Sequence, residues 1–398
     1  MSIEQLTSAR TGLLVLPGAA DFDQARLHHG QPGEPAAVAR ANDVDDVVAA
    51  LDVARRAGLS VAVRGGGHST WESVPGAFVL DLRALQGVEL DETSAPAAEG
   101  ARLVHVGGGA TWGGVAAELG RHGLAISSGD ACSVGVGGLT LGAPGSAGSC
   151  AVGVLRSTNW WWAGSWSPHA GKCWSCPRTP IPSSSGAFAG AAENFGVATR
   201  FDFLAHPLHG MVHASFTLEG PDLPGLIRAF RDVMRSAPRE LNGSLVRTPQ
   251  MVPAVPSRTI IEVAWAGADD AAARKAFAPL VALPQVSSSD IAASTHLDLL
   301  QEPPTPPPGM AMPTILDENG WFESLDDGLI DALAAASDQA GGADAHGALA
   351  RRRVRRGRPA GHGRGVPQRR GVRRDRCVRA ARKSGVGGGA GQGGPRPV

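Results

Sequence analysis

A glycine-rich turn placed directly after a short, mostly apolar run is the feature that most constrains this chain. The run Leu59–Val63 leads into the heptapeptide Val63–Ser69 (VRGGGHS), which holds three consecutive glycines and a histidine. Glycine adopts turn conformations that other residues avoid, and successive backbone N–H groups in such a turn bind anions. The sequence therefore predicts a strand that ends in a loop close to an anionic group such as a pyrophosphate, with His68 facing the bound group.

A second glycine-rich run follows about sixty residues later, at Ser127–Gly142 (SSGDACSVGVGGLTLG). Between the two runs, strand-like segments alternate with amphipathic segments; one helix is predicted to open at Asn42 and end at Gly58, and another to begin at Thr111. Glycine-rich turns between strands are common, so either run alone is weak evidence. The two runs together indicate a large phosphate-bearing cofactor held from two sides.

Composition limits the other functional classes. The 398 residues suffice for two or three domains, and 37 basic residues balance 37 acidic ones, so overall charge gives no argument for nucleic acid or membrane partners. No apolar run is long enough for a transmembrane helix, and the N-terminus lacks the pattern of a secretory signal, so we expect a cytoplasmic protein. Five unevenly placed cysteines predict no disulfide framework, and Cys173-x-x-Cys176 has no second ligand pair, so no metal site is expected.

The periodic pattern fails in two places. From about residue 143 to 192 the chain is rich in serine, proline and tryptophan without helix or strand periodicity, and after about residue 346 it is rich in arginine and glycine. Residues 209–345 lie between these segments and alternate strand patterns with amphipathic helices, which predicts a second domain. The arginine-rich tail is expected to be disordered, and phosphate binding by this tail is a separate possibility.

Three motifs in order carry a family resemblance: VRGGGHS, SVGVGGLTLG (Ser133–Gly142) and NFGVATRFDF (Asn194–Phe203). Together they resemble the FAD-linked oxidases of the berberine-bridge-enzyme-like family, whose FAD domain is of the PCMH type also found in vanillyl-alcohol oxidase. The resemblance implies an α+β fold: a two-lobed PCMH-type FAD-binding domain over residues 36–208, then an α/β substrate domain with an antiparallel sheet over residues 209–345, and a basic tail over residues 346–398.

The same resemblance implies which residues contact FAD. The first loop would wrap the pyrophosphate, the second would form the opposite wall, and the third motif would return beside the cofactor. The implied cofactor-binding residues are Arg64, Gly65, Gly66, Gly67, His68, Ser69, Gly135, Val136, Gly137, Gly138, Thr140, Asn194, Phe195, Gly196 and Val197.

The histidine of the first loop is often bonded covalently to the flavin in this family, and His68 holds that position. Some members add a cysteine link from a residue three places before the Val-Gly step, which here is Ala131, while Cys132 is one place off. The resemblance thus implies at most a single link. The catalytic tyrosine usual in the family has no counterpart, because the chain contains no tyrosine, and the catalytic residues stay unassigned.

The middle segment has a genetic interpretation. Residues of about 144–192 occupy the distance that the family needs but lack its motifs. When GC-rich codons for Ser146–Val152 are read one base earlier, they give Ile-Gly-Trp-Leu-Val-Arg-Arg, which matches the family pattern. We therefore hypothesise that this segment is translated out of frame between two compensating indels, and that the C-terminal tail has a similar origin. The nucleotide sequence across codons 140–195 tests the hypothesis.

By resemblance, the chain is an FAD-linked oxidase or dehydrogenase that oxidises a small organic substrate, at an alcohol, sugar or amine carbon, by hydride transfer to flavin. Its expected partners are this substrate and oxygen or another electron acceptor, with no nucleic acid and no membrane. Two alternatives stay open. One is an inactive remnant of such an oxidase, and the other is a nucleic-acid-binding protein acting through its arginine-rich tail.

Overall fold

A computed structural model gives the fold of the chain. It describes residues 13–28, 31–68, 75–96, 98–142, 165–167, 174–175, 196–220, 222–248, 258–302 and 324–339. The compact unit Met1–Arg353 contains all of these residues, and the second unit, Val354–Val398, lies outside them. The proposed out-of-frame segment and the basic tail thus fall outside the described residues, apart from two short strands.

The first lobe is a four-stranded sheet with a helix packed on it. Its elements are β1 (Leu14–Val15), α1 (Phe22–Ala25), β2 (Leu27–His28), β3 (Gln31–Pro32), β4 (Ala37–Arg40), α2 (Val44–Ala57), β5 (Val61–Arg64) and β6 (Phe78–Asp81). The sheet order is β1-β4-β6-β5, in which β6 pairs in parallel with both β4 and β5. The crossover helix α2 buries Val47, Ala50 and Ala54 against this sheet.

Local sequence signals explain the limits of helix α2. The Asp43 side chain accepts a hydrogen bond from the Asp46 N–H and caps the N-terminus. Gly58 ends the helix in the left-handed conformation with φ 67°, which favours glycine. The predicted end at Gly58 is confirmed, whereas the helix begins at Val44, two residues after the predicted start at Asn42.

The second lobe is built on another four-stranded sheet, of order β7-β8-β13-β9. Its elements are β7 (Val88–Leu90), a 3-10 turn (Ala98–Gly100), β8 (Arg102–Gly107), α3 (Trp112–Gly120), β9 (Leu124–Ala125), α4 (Val136–Gly142), β10 (Ser165–Ser167), β11 (Trp174–Ser175), β12 (Val197–Ala198) and β13 (Arg200–Pro207). Its core packs Trp112 against Phe203 with ring centroids 5.8 Å apart, and Thr111 caps α3 as predicted.

The remaining elements form an antiparallel sheet with helices on one face. They are β14 (Met211–Leu218), α5 (Leu223–Ser236), β15 (Leu241–Thr248), β16 (Arg258–Ala266), α6 (Asp270–Val281), β17 (Val286–Ser294), a 3-10 turn (Leu297–Leu299) and α7 (Asp327–Gln339). The sheet order is β15-β16-β14-β17, and every pair is antiparallel. The expected fold, a two-lobed PCMH-type arrangement followed by an antiparallel sheet with helices, is confirmed.

Candidate functional site

The two predicted glycine loops meet backbone to backbone. A Cβ atom placed on Gly66 would lie 2.4 Å from the Gly135 nitrogen and 2.5 Å from the Ser133 carbonyl oxygen. Conversely, a Cβ atom on Gly135 would lie 2.2 Å from the Gly66 nitrogen. Side chains at these positions would collide with main chain, so glycine at both is what lets the loops touch. The structure therefore brings together the two motifs that the sequence paired.

A third glycine segment, Gly107–Gly109 at the end of β8, completes the junction. A Cβ on Gly137 would lie 2.8 Å from the Gly108 carbonyl oxygen, and a Cβ on Gly108 would lie 2.3 Å from the Ala198 carbonyl oxygen. The Gly108 N–H also donates to the Thr199 carbonyl at 2.9 Å. The segment Ala198–Thr199 thus lies beside Gly108. Sequence reasoning placed Gly107–Gly109 only at a strand end and missed its part in the junction.

Arg64 is bound into the first lobe. It is 7% exposed, and its Nη1 donates to the Ala25 carbonyl oxygen at 2.6 Å and lies 3.5 Å from Asp81 Oδ2. Burial lowers the pKa of Arg64, and the Asp81 carboxylate opposes that shift. The Nη1 group of Arg64 is thus engaged by partners within the first lobe.

The tip of the first loop stays accessible. Gly67 has φ 72°, which favours glycine, and it lies beside the aliphatic part of Arg64. His68 is partly exposed, with its Nε2 atom buried. Directly before the loop, the Val63 side chain is 49% exposed although it is apolar. Within the described residues, no protein acceptor takes the N–H groups of Gly65, Gly66 or Gly67.

The second loop presents one further polar group. Thr140 lies on α4, and its Oγ1 atom is buried without a hydrogen-bond partner in the described part of the chain. On the same helix, Gly138 is exposed with open space around a Cβ position, whereas Val136 is fully buried. Unclaimed N–H donors and an orphaned hydroxyl are groups that a pyrophosphate would satisfy, so the residues present fit that part of FAD.

Two of the remaining predicted residues lie at the start of β12. Val197 is buried in the core of the first lobe, and Gly196 directly precedes it with φ 157°. Ser69, Asn194 and Phe195 lie outside the described residues.

The second loop is anchored by the segment His296–Glu302, which follows the antiparallel sheet. The Gln301 N–H donates to the Asp130 carbonyl at 2.8 Å, and the Cys132 thiol donates to the Leu300 carbonyl at 2.9 Å. Burial raises the pKa of Cys132, and nearby Glu302 adds to that shift. The cysteine is therefore a packed, protonated thiol.

His296 is the first residue of this segment. It is 7% exposed, and its Nε2 lies 3.4 Å from the Ser128 hydroxyl. Burial lowers the pKa of His296 to about 4, so the imidazole is neutral at pH 7.

A comparison with protein families matches the part of the chain that contains both glycine loops. Residues 35–159 match the family described as FAD binding domain. The chain carries an FAD binding domain. The FAD binding domain contains both glycine loops, and FAD is thus the cofactor that the sequence indicated.

Two named relatives are similar to this chain over about half of its length. The chain is 30% identical over 226 residues to the FAD-dependent monooxygenase tpcD of Cochliobolus heterostrophus, covering 54% of this chain and 41% of that protein. It is 27% identical over 238 residues to the (R)-6-hydroxynicotine oxidase of Paenarthrobacter nicotinovorans, covering 56% and 48%. The chain thus spans less than half the length of these two relatives.

Solved structures share the fold. Berberine-bridge-enzyme-like protein 1 of Physcomitrella patens superposes with a TM-score of 0.67 at 17% identity, covering 85% of this chain and 75% of that chain. The 6-hydroxy-D-nicotine oxidase of Arthrobacter nicotinovorans superposes with a TM-score of 0.61 at 24% identity, covering 73% and 63%. The PCMH-type resemblance of the fold is confirmed.

The described residues contain neither a metal-binding cluster nor a membrane-spanning helix. No group of three or more histidine, cysteine, aspartate or glutamate side chains there is arranged to hold a metal ion. Among the described helices, none combines the length and the apolarity needed to cross a bilayer. Cys173 and Cys176 lie outside the described residues.

Proposed function

We propose that this chain is an FAD-dependent oxidoreductase that oxidises a small organic substrate at an alcohol, sugar or amine carbon. The observation that carries the proposal is the backbone contact between Gly66 and Gly135 inside a matched FAD binding domain. When bound, FAD supplies the hydride acceptor, and oxygen or another electron acceptor regenerates it.

In this proposal, backbone N–H groups and a hydroxyl, rather than charged side chains, would hold the cofactor. The backbone N–H groups of Gly65–Gly67 would donate to the pyrophosphate, and the Thr140 hydroxyl would add one hydrogen bond from the second loop. Gly135, Gly137 and Gly138 keep that wall free of side chains. Residues Ser69, Asn194, Phe195, Gly196 and Val197 complete the proposed contacts.

We further propose that His68 would carry the single covalent link to the flavin at its 8α-methyl carbon. A ring nitrogen would replace one methyl hydrogen, the two electrons released would reduce the flavin, and oxygen or another acceptor would reoxidise it. The solved glucooligosaccharide oxidase of Acremonium strictum is described with a 6-S-cysteinyl, 8α-N1-histidyl FAD, and it shares the fold with a TM-score of 0.59. Among the residues that the structure describes, the one cysteine is Cys132, and its thiol donates a hydrogen bond to the Leu300 carbonyl. That contact supports one link rather than two.

The proposed domain limits are 36–208 for FAD binding, with about 144–192 out of frame, 209–345 for the substrate, and 346–398 for the tail. The antiparallel sheet is proposed to cover the substrate side of the flavin. The cytoplasmic location stays a prediction.

Anaerobic reduction tests the function. The purified full chain is loaded with FAD and mixed with single alcohols, sugars and amines, and bleaching of the flavin spectrum is followed. Bleaching by at least one substrate, reversed by admitting oxygen or a dye acceptor, is the expected result. A chain that binds FAD but is bleached only by dithionite would be the inactive remnant.

A further inference from the structure

Ser133 connects three parts of the chain at the second glycine loop. Its carbonyl oxygen lies against the first loop, where a Cβ atom on Gly66 would come within 2.5 Å of it. Its hydroxyl donates to the Glu302 Oε2 atom at 2.9 Å, although 169 positions separate the two residues in the sequence. Ser133 is therefore held between the first glycine loop and the segment His296–Glu302.

The segment His296–Glu302 also holds the residues that precede this serine. The Cys132 thiol donates to the Leu300 carbonyl oxygen at 2.9 Å, and the Gln301 N–H donates to the Asp130 carbonyl oxygen at 2.8 Å. Leu300 is itself buried in the core of the second lobe. The segment is thus packed into the lobe that carries the second loop, and it contacts that loop at several points.

The main chain of the second loop is held separately, by the start of α3. The Trp112 N–H donates to the Val134 carbonyl oxygen at 3.0 Å, and the Gly113 N–H donates to the Cys132 carbonyl oxygen at 3.0 Å. Neither bond involves the segment after the antiparallel sheet. Loss of the side-chain bond to Glu302 should therefore loosen the loop without unfolding the FAD binding domain.

The junction of the two loops has no side chain that could absorb a shift of Ser133. A Cβ atom on Gly135 would already lie 2.2 Å from the Gly66 nitrogen, so main chain meets main chain there. A displaced second loop would change the spacing between the N–H groups of Gly65–Gly67 and the Thr140 hydroxyl. These are the groups to which pyrophosphate binding is assigned above.

We propose that Glu302 is a positioning residue for the cofactor: its carboxylate holds the Ser133 hydroxyl and thereby fixes the spacing of the two glycine loops. The inference rests on the proposed function for the identity of the bound cofactor. Glu302 acts through Ser133 rather than by touching FAD. Because Glu302 lies outside residues 35–159, which match the FAD binding domain, retention of the cofactor depends on the chain beyond that domain.

FAD titration of the full chain, under conditions in which every variant is folded, tests the proposal. Ser133→Ala and Glu302→Ala should each raise the FAD dissociation constant about fivefold, the effect of losing one exposed hydrogen bond to a charged group. The double variant should bind no more weakly than either single variant, because both changes remove the same bond. Glu302→Gln keeps a carbonyl acceptor for the hydroxyl and should stay within about twofold of the wild type.

Ser215→Ala is the matched control. The Ser215 hydroxyl also donates to a carboxylate, Glu262 Oε1 at 2.7 Å, but this bond joins β14 and β16 of the antiparallel sheet. Ser215→Ala and Ser133→Ala should lower the free energy of unfolding by similar amounts, whereas only Ser133→Ala should weaken FAD binding. Equal weakening of FAD binding by both would reveal a general effect of lost stability and would overturn the positioning role.

Hydrogen–deuterium exchange of the cofactor-free chain separates this proposal from the proposed function. Amides of residues 130–142 should exchange faster in Ser133→Ala and Glu302→Ala than in the wild type or in Ser215→Ala, because the loop is held less tightly. The proposal is overturned if both variants bind FAD and exchange as the wild type does, or if their effects on FAD binding add in the double variant. A chain that takes up no FAD but shows the faster exchange would contradict the proposed function and leave the role of Glu302 in holding the loop intact.

Discussion

Gly66 and Gly135 lie in direct backbone contact although 69 positions separate them in the sequence, with a Gly135 Cβ position only 2.2 Å from the Gly66 nitrogen. Neither residue has a positive φ, so the requirement for glycine is steric rather than conformational. The contact joins the end of β5 in the first lobe to the start of α4 in the second lobe. If the two loops bind FAD as proposed, we expect cofactor binding and stability to be coupled at this point.

The first prediction concerns this contact. Gly135→Ala is expected to lower the free energy of unfolding by about 1–3 kcal/mol, because the added methyl group would collide with main-chain atoms of Gly66. It should also weaken FAD binding at least tenfold, because the loops must separate. Denaturant unfolding and FAD titration measure the two effects.

Gly138→Ala is the control for the unfolding measurement on the cofactor-free chain, because a Cβ there has nothing within 4 Å. Since Gly138 lies in a helix, alanine should stabilise the chain by up to about 1 kcal/mol. Equal destabilisation by both substitutions would refute the steric account.

The second prediction concerns the buried ion pair of the first lobe. Asp81 is 3% exposed and serves both Arg64 and Arg83. Asp81→Asn is expected to cost about 3 kcal/mol, because it leaves the buried Arg64 guanidinium without a counter-charge. Denaturant unfolding at pH 7 gives the difference.

Asp52→Asn provides the comparison. Asp52 also pairs with two arginines, Arg55 and Arg56, at 2.7 Å, but on the exposed face of α2. Its loss should cost less than about 1 kcal/mol. If the free energy of unfolding falls by similar amounts in both variants, burial does not increase the contribution of the Arg64–Asp81 pair to stability.

The third prediction is a pH dependence. The pKa of His296 is about 4 in the folded chain and near 6.5 when the residue is exposed. Between these values the unfolded chain binds more protons, so the free energy of unfolding falls as pH drops from about 6.5 to about 4, by about 3 kcal/mol in total. Above pH 6.5 this group has no effect.

Unfolding titrations at pH 7, 5.5 and 4 on the wild type and His296→Gln isolate this contribution from that of the carboxylates. The variant should lose less stability across this range. His122→Gln, which changes an exposed histidine, should behave as the wild type does. An unchanged slope in His296→Gln would show that the burial of this residue does not govern the effect.

The fourth prediction concerns the covalent link. After acid precipitation of the flavin-loaded chain, flavin should stay in the pellet, and proteolysis should yield a flavin peptide containing His68. His68→Ala should release the flavin into the supernatant, while Cys132→Ser should not. Flavin attached to a Cys132 peptide would contradict the single-link account.

Much of the fold was predictable because its signals are local. Asp43 and Gly58 mark the ends of α2, and Thr111 marks the start of α3, since caps act within a few residues. Strands β15 and β17 were missed. Strand β15 contains Asn242-Gly243, a pair typical of turns, and strand β17 is serine-rich. Both segments are strands because pairing with neighbouring strands of the sheet outweighs their weak local strand propensity.

The candidate site was predictable only in part. The pairing of two glycine loops followed from the motifs and the family resemblance, but Gly107–Gly109 gave the same signal as any strand end. The commitment of Arg64 to Asp81 and Ala25 was not foreseen either. These contacts join residues far apart in sequence, and no local pattern encodes them.

The most direct test of the central claim, that two touching glycine loops bind FAD, is the number of flavins bound per chain. The full chain is equilibrated with excess FAD, freed of unbound cofactor, and its flavin absorbance is compared with its protein concentration. One flavin per chain in the wild type, reduced to a small fraction in Gly135→Ala, is the predicted result. A wild-type chain without flavin absorbance, or a variant that retains full flavin, would contradict the account.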